Sequence, residues 1–249
     1  MNRFKKLTGK IFAIWALLVF ILTMLLVLLP MIIIGLWPEP KRCRLFFTIS
    51  VFWMKIFFTL TGVTRVFKGR KNIKKNETYI IVCNHRSFLD PPLSTPAIPY
   101  ANKTIAKKEM AKIPLFGLIY KRGSVLVDRK SEESRKQSYA KMKEVLAMGL
   151  HMCIYPEGTR NRTTEPLQKF HDGAFKLAIE TGNKIIPCLL FNTPNVFPAK
   201  GFFFWPGKVE MHFLPAVEVE NRNTQQLKEE VFEIMRNYYL KVEGLRFKV

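Results

Sequence analysis

Two long apolar stretches open the chain, and shorter apolar runs follow at intervals. From Ile11 to Trp37 there is no charged residue. As a helix rising about 1.5 Å per residue, this stretch extends roughly 40 Å, more than the hydrocarbon core of a bilayer. The second stretch, Leu45 to Leu60, is interrupted only by Lys55 and carries Phe46, Phe47, Phe52, Trp53, Phe57 and Phe58. It is short for a span. Beyond it the runs have strand length: Val63 to Gly69, Tyr79 to Cys83, Thr104 to Ala106, Ser124 to Val127, His151 to Tyr155, Lys184 to Leu190 and Val209 to Phe213. Helical patterns lie between them. Pro114 to Tyr120 has proline at its first position, and Ser131 caps an amphipathic helix running to Met148. Asp172 to Thr181 is closed by Gly182, and Thr224 caps a final helix to about Val242. Strands alternating with helices predict an α/β layered domain over 63–249, with a mostly parallel central sheet flanked by helices.

Residues 1–62 form a separate pattern. A signal peptide has a shorter apolar region and a small-residue cleavage site, whereas Trp37-Pro38-Glu39-Pro40 follows here. Basic residues flank both apolar stretches: Arg3, Lys5, Lys6 and Lys10 before the first, Lys41, Arg42 and Arg44 between them, and Arg65, Lys68, Arg70 and Lys71 after the second. A single span puts one cluster on the wrong side under the positive-inside rule. A membrane-embedded helical hairpin, bent at Pro30, keeps all three on the cytoplasmic face, and a single span is the alternative.

Composition narrows the partners. The chain of 249 residues is 48% hydrophobic and 24% charged, enough for a full core, and its net charge is +21. That charge calls for an anionic partner: nucleic acid, a membrane surface or phosphorylated small molecules. The apolar N-terminus and the lack of a recognition-helix or RNA-platform motif argue against nucleic acid. Cys43, Cys83, Cys153 and Cys188 have no metal-ligand spacing and read as buried, reduced thiols.

Candidate chemistry gathers where strands end. His85 and Asp90, in Asn84-His85-Arg86-Ser87-Phe88-Leu89-Asp90, have the form of a general base with an orienting carboxylate. Ser87 reads as a turn residue. Three further segments end strands: Ala106-Lys107-Lys108-Glu109, Gly123 to Arg129, and Tyr155-Pro156-Glu157-Gly158-Thr159-Arg160-Asn161-Arg162. In α/β sheets, ligands bind at the carboxyl ends of strands. Lys107, Lys108, Arg129, Arg160 and Arg162 are suited to phosphate, with one of the two lysines facing solvent. Gly158 lets backbone approach a ligand closely. Glu157 reads equally as a ligand contact or as a local partner of Arg160 or of the next segment. His151, His171 and His212 read as structural or exposed.

In this order these segments resemble the glycerophospholipid acyltransferases of the 1-acyl-glycerol-3-phosphate type, from about residue 63 to 213. Asn84, His85 and Asp90 match Asn-His-x4-Asp, and Gly123 with Arg129 matches the second motif. Tyr155 to Arg160 matches aromatic-Pro-Glu-Gly-Thr-Arg, with Tyr where the family often has Phe. Ile185-Ile186-Pro187, Lys107 to Glu109 and Phe170 to Ala174 match the remaining elements. The resemblance implies acyl transfer from acyl-CoA or acyl carrier protein to the free hydroxyl of a lysophospholipid acceptor, giving phosphatidate. His85 is the implied base and Asp90 its orienter. Glu157, Gly158 and Arg160 are implied at the acceptor phosphate, with Lys107, Lys108 and Arg129 as supporting cations. Gly123 and Thr159 join them as substrate-binding positions. A thiol of pKa about 8.5 leaves readily, so the reaction calls for no metal or cofactor. The implied location is a bacterial inner membrane, with the catalytic domain on its cytoplasmic face. Glycerol 3-phosphate, another lysophospholipid or a lyso-ornithine lipid are the alternative acceptors. A non-enzymatic protein holding anionic membranes is the alternative from another class.

Overall fold

The computed structural model describes residues 3–246. Among them, seven strands form one sheet: β1 (Val63–Lys68), β2 (Ile80–Cys83), β3 (Asn102–Lys107), β4 (Ser124–Val127), β5 (His151–Ile154), β6 (Ile185–Phe191) and β7 (Gly207–Phe213). Their order is β1-β7-β6-β2-β5-β3-β4. The run β6-β2-β5-β3-β4 is parallel, and β7 joins it antiparallel with β1 parallel to β7. The sheet is therefore mostly parallel, as expected. Every residue of β2, β5 and β6 is buried. Covered on both faces, they read as unbroken apolar runs without alternation.

Eight α-helices, with three short 3-10 turns, complete the described chain: α1 (Arg3–Ile33), α2 (Lys41–Leu60), α3 (Asp90–Ala97), α4 (Phe116–Arg122), α5 (Glu132–Ala147), α6 (Gly173–Thr181), α7 (Thr193–Val196) and α8 (Thr224–Arg246). Ile81 and Cys83 of β2 face a core shared with α1, α2 and α3, while Ile80 and Val82 face one shared with α5, α6 and α8. This is a three-layer sandwich. Ser131 caps α5 by accepting the Ser134 N–H at 3.1 Å, and Gly182 ends α6 in the left-handed region.

Three details differ from the sequence reading. Asp90-Pro91-Pro92 opens α3, because proline at the first positions of a helix forfeits only N–H groups that lack partners there. α4 starts at Phe116, two residues later than expected, because Leu115 has φ 59°. The hairpin does not bend at Pro30, which lies inside α1; the chain turns between Ile34 and Pro40.

The hairpin is antiparallel. Trp15 Nε1 donates to Leu60 O at 2.9 Å and Trp53 Nε1 to Thr23 Oγ1 at 2.9 Å. It also shares the core of the sheet. Phe46, Trp53, Phe57 and Phe58 of α2 lie in one apolar cluster with Ile81, Cys83 and Met211. At the turn, Glu39 takes Lys103 Nζ at 2.6 Å and Arg42 at 3.0 Å. α1 lies along the domain and touches it near both ends. Phe204 N donates to Gly9 O at 3.0 Å, and Arg122 Nη2 to Ile32 O at 3.4 Å. Its inner stripe, Ala13, Ala16, Val19, Thr23, Met24, Val27 and Met31, is buried at helical spacing. Its outer stripe is equally apolar and open, with Leu22, Leu26 and Leu29 each over 60% exposed.

Candidate active site

The parallel strands carry the candidate residues to one edge of the sheet. β2 ends at Cys83, and Asn84 continues its pairing with side-chain atoms. Asn84 Nδ2 donates to Leu190 O at 3.1 Å, and Leu190 N donates to Asn84 Oδ1 at 2.7 Å. The side chain thus imitates a strand residue while the backbone turns away. The next residue, His85, is fixed at both backbone groups. Its N–H donates to Glu157 Oε1 at 2.8 Å, and its carbonyl accepts the Asn161 N–H at 2.7 Å.

The His85 imidazole is held in the same manner. Nδ1 lies 2.7 Å from Asp90 Oδ2. That oxygen also accepts the Arg86 and Ser87 N–H groups at 2.7 and 2.8 Å. Asp90 is fully buried, whereas the His85 side chain is 18% exposed. A carboxylate held by three donors favours a proton on Nδ1, which leaves Nε2 as the basic nitrogen. The Tyr155 ring lies beside the imidazole, its centroid 4.5 Å away and its plane tilted 31°. Tyr155 hydroxyl pairs with Ser94 Oγ at 2.7 Å.

The loop after β5 supplies a cation. Arg160 Cζ sits 3.4 Å from the centroid of the Phe88 ring. Its Nη1 is buried and makes no hydrogen bond among the described residues. Burial, with Arg162 nearby, holds its guanidinium below the ordinary arginine value. The aromatic face braces the guanidinium, and an unpaired N–H of this kind suits an anionic oxygen in general. The assembly therefore places an imidazole, a buried carboxylate and a guanidinium at the carboxyl ends of the adjacent strands β2 and β5.

A model of the family described as Acyltransferase matches residues 64–190. The 1-acyl-sn-glycerol-3-phosphate acyltransferase of Borreliella burgdorferi is 32% identical over 202 residues, covering 80% of this chain and 79% of that protein. The enzyme of the same name from Helicobacter pylori is 30% identical over 191 residues, covering 74% and 77%. The chain belongs to the 1-acyl-sn-glycerol-3-phosphate acyltransferase family. The fold agrees: the crystal structure of the 1-acyl-sn-glycerophosphate acyltransferase PlsC from Thermotoga maritima superposes with a TM-score of 0.82 at 22% identity, covering 96% of this chain and 98% of that one.

Within the acyltransferase, the expected site residues take different places. His85, Asp90 and Arg160 come together. Gly158 has φ 68°, and a Cβ there would stand 2.8 Å from the His171 ring, so only glycine fits without strain. Thr159 is exposed beside it. Lys107 and Lys108 are both exposed at the end of β3, and Arg129 is exposed beyond β4. At about 4.8 Å per strand, β5, β3 and β4 lie roughly 5, 10 and 14 Å from β2. Gly123 is buried, and a Cβ there would come within 2.5 Å of the Phe46 ring, so it packs α2 rather than facing the open edge.

Glu157 takes the local of its two readings, as a partner of the next segment, and adds a bond to His85. It is 3% exposed, and its second oxygen accepts the Gln168 N–H at 2.9 Å. Both oxygens are spent on backbone. Burial raises its pKa to about 7 against those two hydrogen bonds, and the Asp90 charge adds to the rise. Asn161 and Phe88 are further members that the sequence reading passed over. Neither carries a signal beyond its position beside the motifs. Ser87 Oγ donates to Phe197 O at 2.6 Å and accepts the Leu89 N–H, a turn role. His151 Nδ1 accepts the Tyr79 N–H at 3.1 Å, and burial pushes it down to about 4. The four cysteines are free and buried.

Proposed function

We propose that the enzyme moves an acyl group from an acyl thioester, on coenzyme A or acyl carrier protein, to the free hydroxyl of 1-acyl-sn-glycerol 3-phosphate, giving phosphatidate. The observation that carries this reading is the 2.7 Å contact between His85 Nδ1 and the buried Asp90 carboxylate. His85 Nε2 takes the acceptor's hydroxyl proton as its oxygen attacks the thioester carbonyl. The tetrahedral intermediate collapses, the C–S bond breaks, and the proton on His85 goes to the leaving thiolate. Asp90 keeps Nδ1 protonated and stabilises the imidazolium. Base assistance of this kind is worth about 10²–10⁴-fold.

The acceptor's phosphate stands only a few bonds from the reacting hydroxyl. Arg160, on the loop of the strand adjacent to β2, supports that contact most directly. Lys107 or Lys108 reaches it from two strands away, and Arg129 from three, with the longer span favouring a supporting role. Glu157 acts on His85 rather than on phosphate.

The hairpin supports a membrane setting. Two helices are long and apolar enough to cross a bilayer by length and composition. Contacts near both ends of α1 with the catalytic domain favour a helix lying in one leaflet, its outer stripe in lipid. Residues 1–130 carry 23 of the 40 Lys and Arg but five of the 19 Asp and Glu. Most of the net charge thus belongs to the half that builds α1 to α4, which suits an anionic cytoplasmic leaflet.

The test supplies the purified enzyme with coenzyme A and carrier-protein thioesters and compares lysophosphatidate with monoacylglycerol of the same chain. Acylation of lysophosphatidate that falls sharply when the phosphate is missing is expected. Equal rates on monoacylglycerol, or none on lysophosphatidate from either donor, would refute the reading.

A further inference from the structure

Beyond Lys108, the segment between β3 and β4 has no part in the proposed chemistry, yet its surface is unusual. Lys108–Lys112 forms a 3-10 turn and α4 follows at Phe116. Between and along them Ile113, Leu115 and Leu118 are 43%, 45% and 41% exposed. Lys107, Lys108, Lys112, Lys121 and Arg122 lie within or beside the same stretch of sequence, against the single acid Glu109. Leu115 has φ 59° and ψ −54°, and Phe116 N donates to Pro114 O at 2.6 Å. This is a γ-turn of the rare, strained hand, with an open leucine at its apex. Strain of this order persists where the surroundings fix it, and it marks segments that function uses.

We propose that this lobe is a second insertion element, which sinks Ile113, Leu115 and Leu118 into the same anionic leaflet as the outer face of α1. The proposal rests on the membrane reading above. Two observations select lipid as the occupant. The lobe is continuous with α1: Phe116 packs on Phe20, with ring centroids 6.0 Å apart, and Arg122 bonds Ile32 O. Its cations Lys107, Lys108, Lys112 and Lys121 flank the apolar residues in sequence and are exposed with them, a composition suited to an apolar face below anionic headgroups. The consequence is functional. The lobe begins at Lys107, ends at the strand that leads to Arg129, and so brings these cations to headgroup depth. A lysolipid then passes from the leaflet to the strand edge without leaving the interface.

Because all four native cysteines are buried, a cysteine introduced on the surface takes an environment-sensitive fluorophore selectively. The experiment labels L115C, L22C on the outer face of α1, and Q137C on the opposite layer. The proteins are reconstituted in phosphatidylglycerol vesicles containing a phospholipid with a nitroxide high on its acyl chain. Quenching at 115 and 22 but not at 137 is expected. Quenching at 22 with none at 115 overturns the lobe and leaves the membrane reading standing, whereas no quenching at 22 overturns both. A response at 115 only on adding acyl carrier protein assigns the patch to a protein partner and also overturns the proposal. A second arm uses Leu115→Glu with Leu118→Glu. Losing the burial of two leucines lowers turnover of vesicle-borne lysophosphatidate roughly tenfold or more, while turnover of a short-chain acceptor dispersed in detergent is unchanged. Equal losses on both acceptors contradict it.

Discussion

Glu157 Oε1 accepts the backbone N–H of His85 at 2.8 Å, across 72 residues of sequence. The third motif thus fixes the first. With Asn161 on the His85 carbonyl, His85 is held at both of its backbone groups by the loop that also carries Arg160. One loop thus sets the position of His85 relative to Arg160.

Glu157 also brings a pH signature. Its folded value of about 7 lies above the ordinary 4.5. The contribution of a group raised in this way is fully present below the unfolded value and is lost as pH rises through the folded one. Wild-type thermal stability therefore declines between about pH 4.5 and 7 relative to Glu157→Gln, which lacks the titration. Parallel melting curves for the two proteins across that range would show that this carboxyl does not titrate there.

Arg160→Lys keeps the charge and loses the planar fork over Phe88. Charge-assisted hydrogen bonds contribute roughly 1.5–3 kcal/mol, so KM for lysophosphatidate rises about tenfold or more, with kcat less affected. Arg129→Lys, further along the strand edge, has a smaller effect. Steady-state kinetics on the three proteins measure the order, and a larger effect at Arg129 contradicts it.

Tyr155→Phe removes the hydroxyl on Ser94 and keeps the ring beside His85. A net hydrogen bond is worth about 1 kcal/mol, so the melting temperature falls slightly and kcat/KM stays within a few-fold. Tyr155→Leu, which removes the ring, is slower. If Tyr155→Phe alone abolishes turnover, the hydroxyl has a role in the reaction that this account lacks.

Gly123→Ala tests a residue expected at the substrate and found in packing. Its Cβ meets Phe46, and overpacking of this kind costs about 1–3 kcal/mol. A lower melting temperature with unchanged KM for acceptor and donor is the expected result. A KM change at normal stability would return Gly123 to the substrate.

The strands and the His85–Asp90 pair were legible because periodicity and short spacing are local signals. β2 and β6 are unbroken apolar runs and β5 is one after His151, and His85 and Asp90 are five residues apart. Three other features depend on contacts the sequence does not order. β1 pairs with β7, whose partner residues Val63 and Gly207 are far apart in the chain. Glu157 reads equally as a ligand contact or a local partner until its backbone partners are known. α2 reads as a short membrane segment because its aromatic residues, which pack the sheet, have the composition of a lipid-facing helix. The turn of the hairpin is hidden in the sequence for a similar reason: Pro30 is the obvious breaker, but α1 continues through it, and Glu39 with Lys103 fixes the turn further on.

The central claim is that His85 takes the acceptor's proton. It is tested most directly by phosphatidate formation in proteoliposomes of wild type and His85→Ala at matched protein loading and melting temperature. The account predicts a loss of at least about 10²-fold in kcat, with membrane association intact. A variant that folds, binds vesicles and turns over within a few-fold of wild type would contradict it.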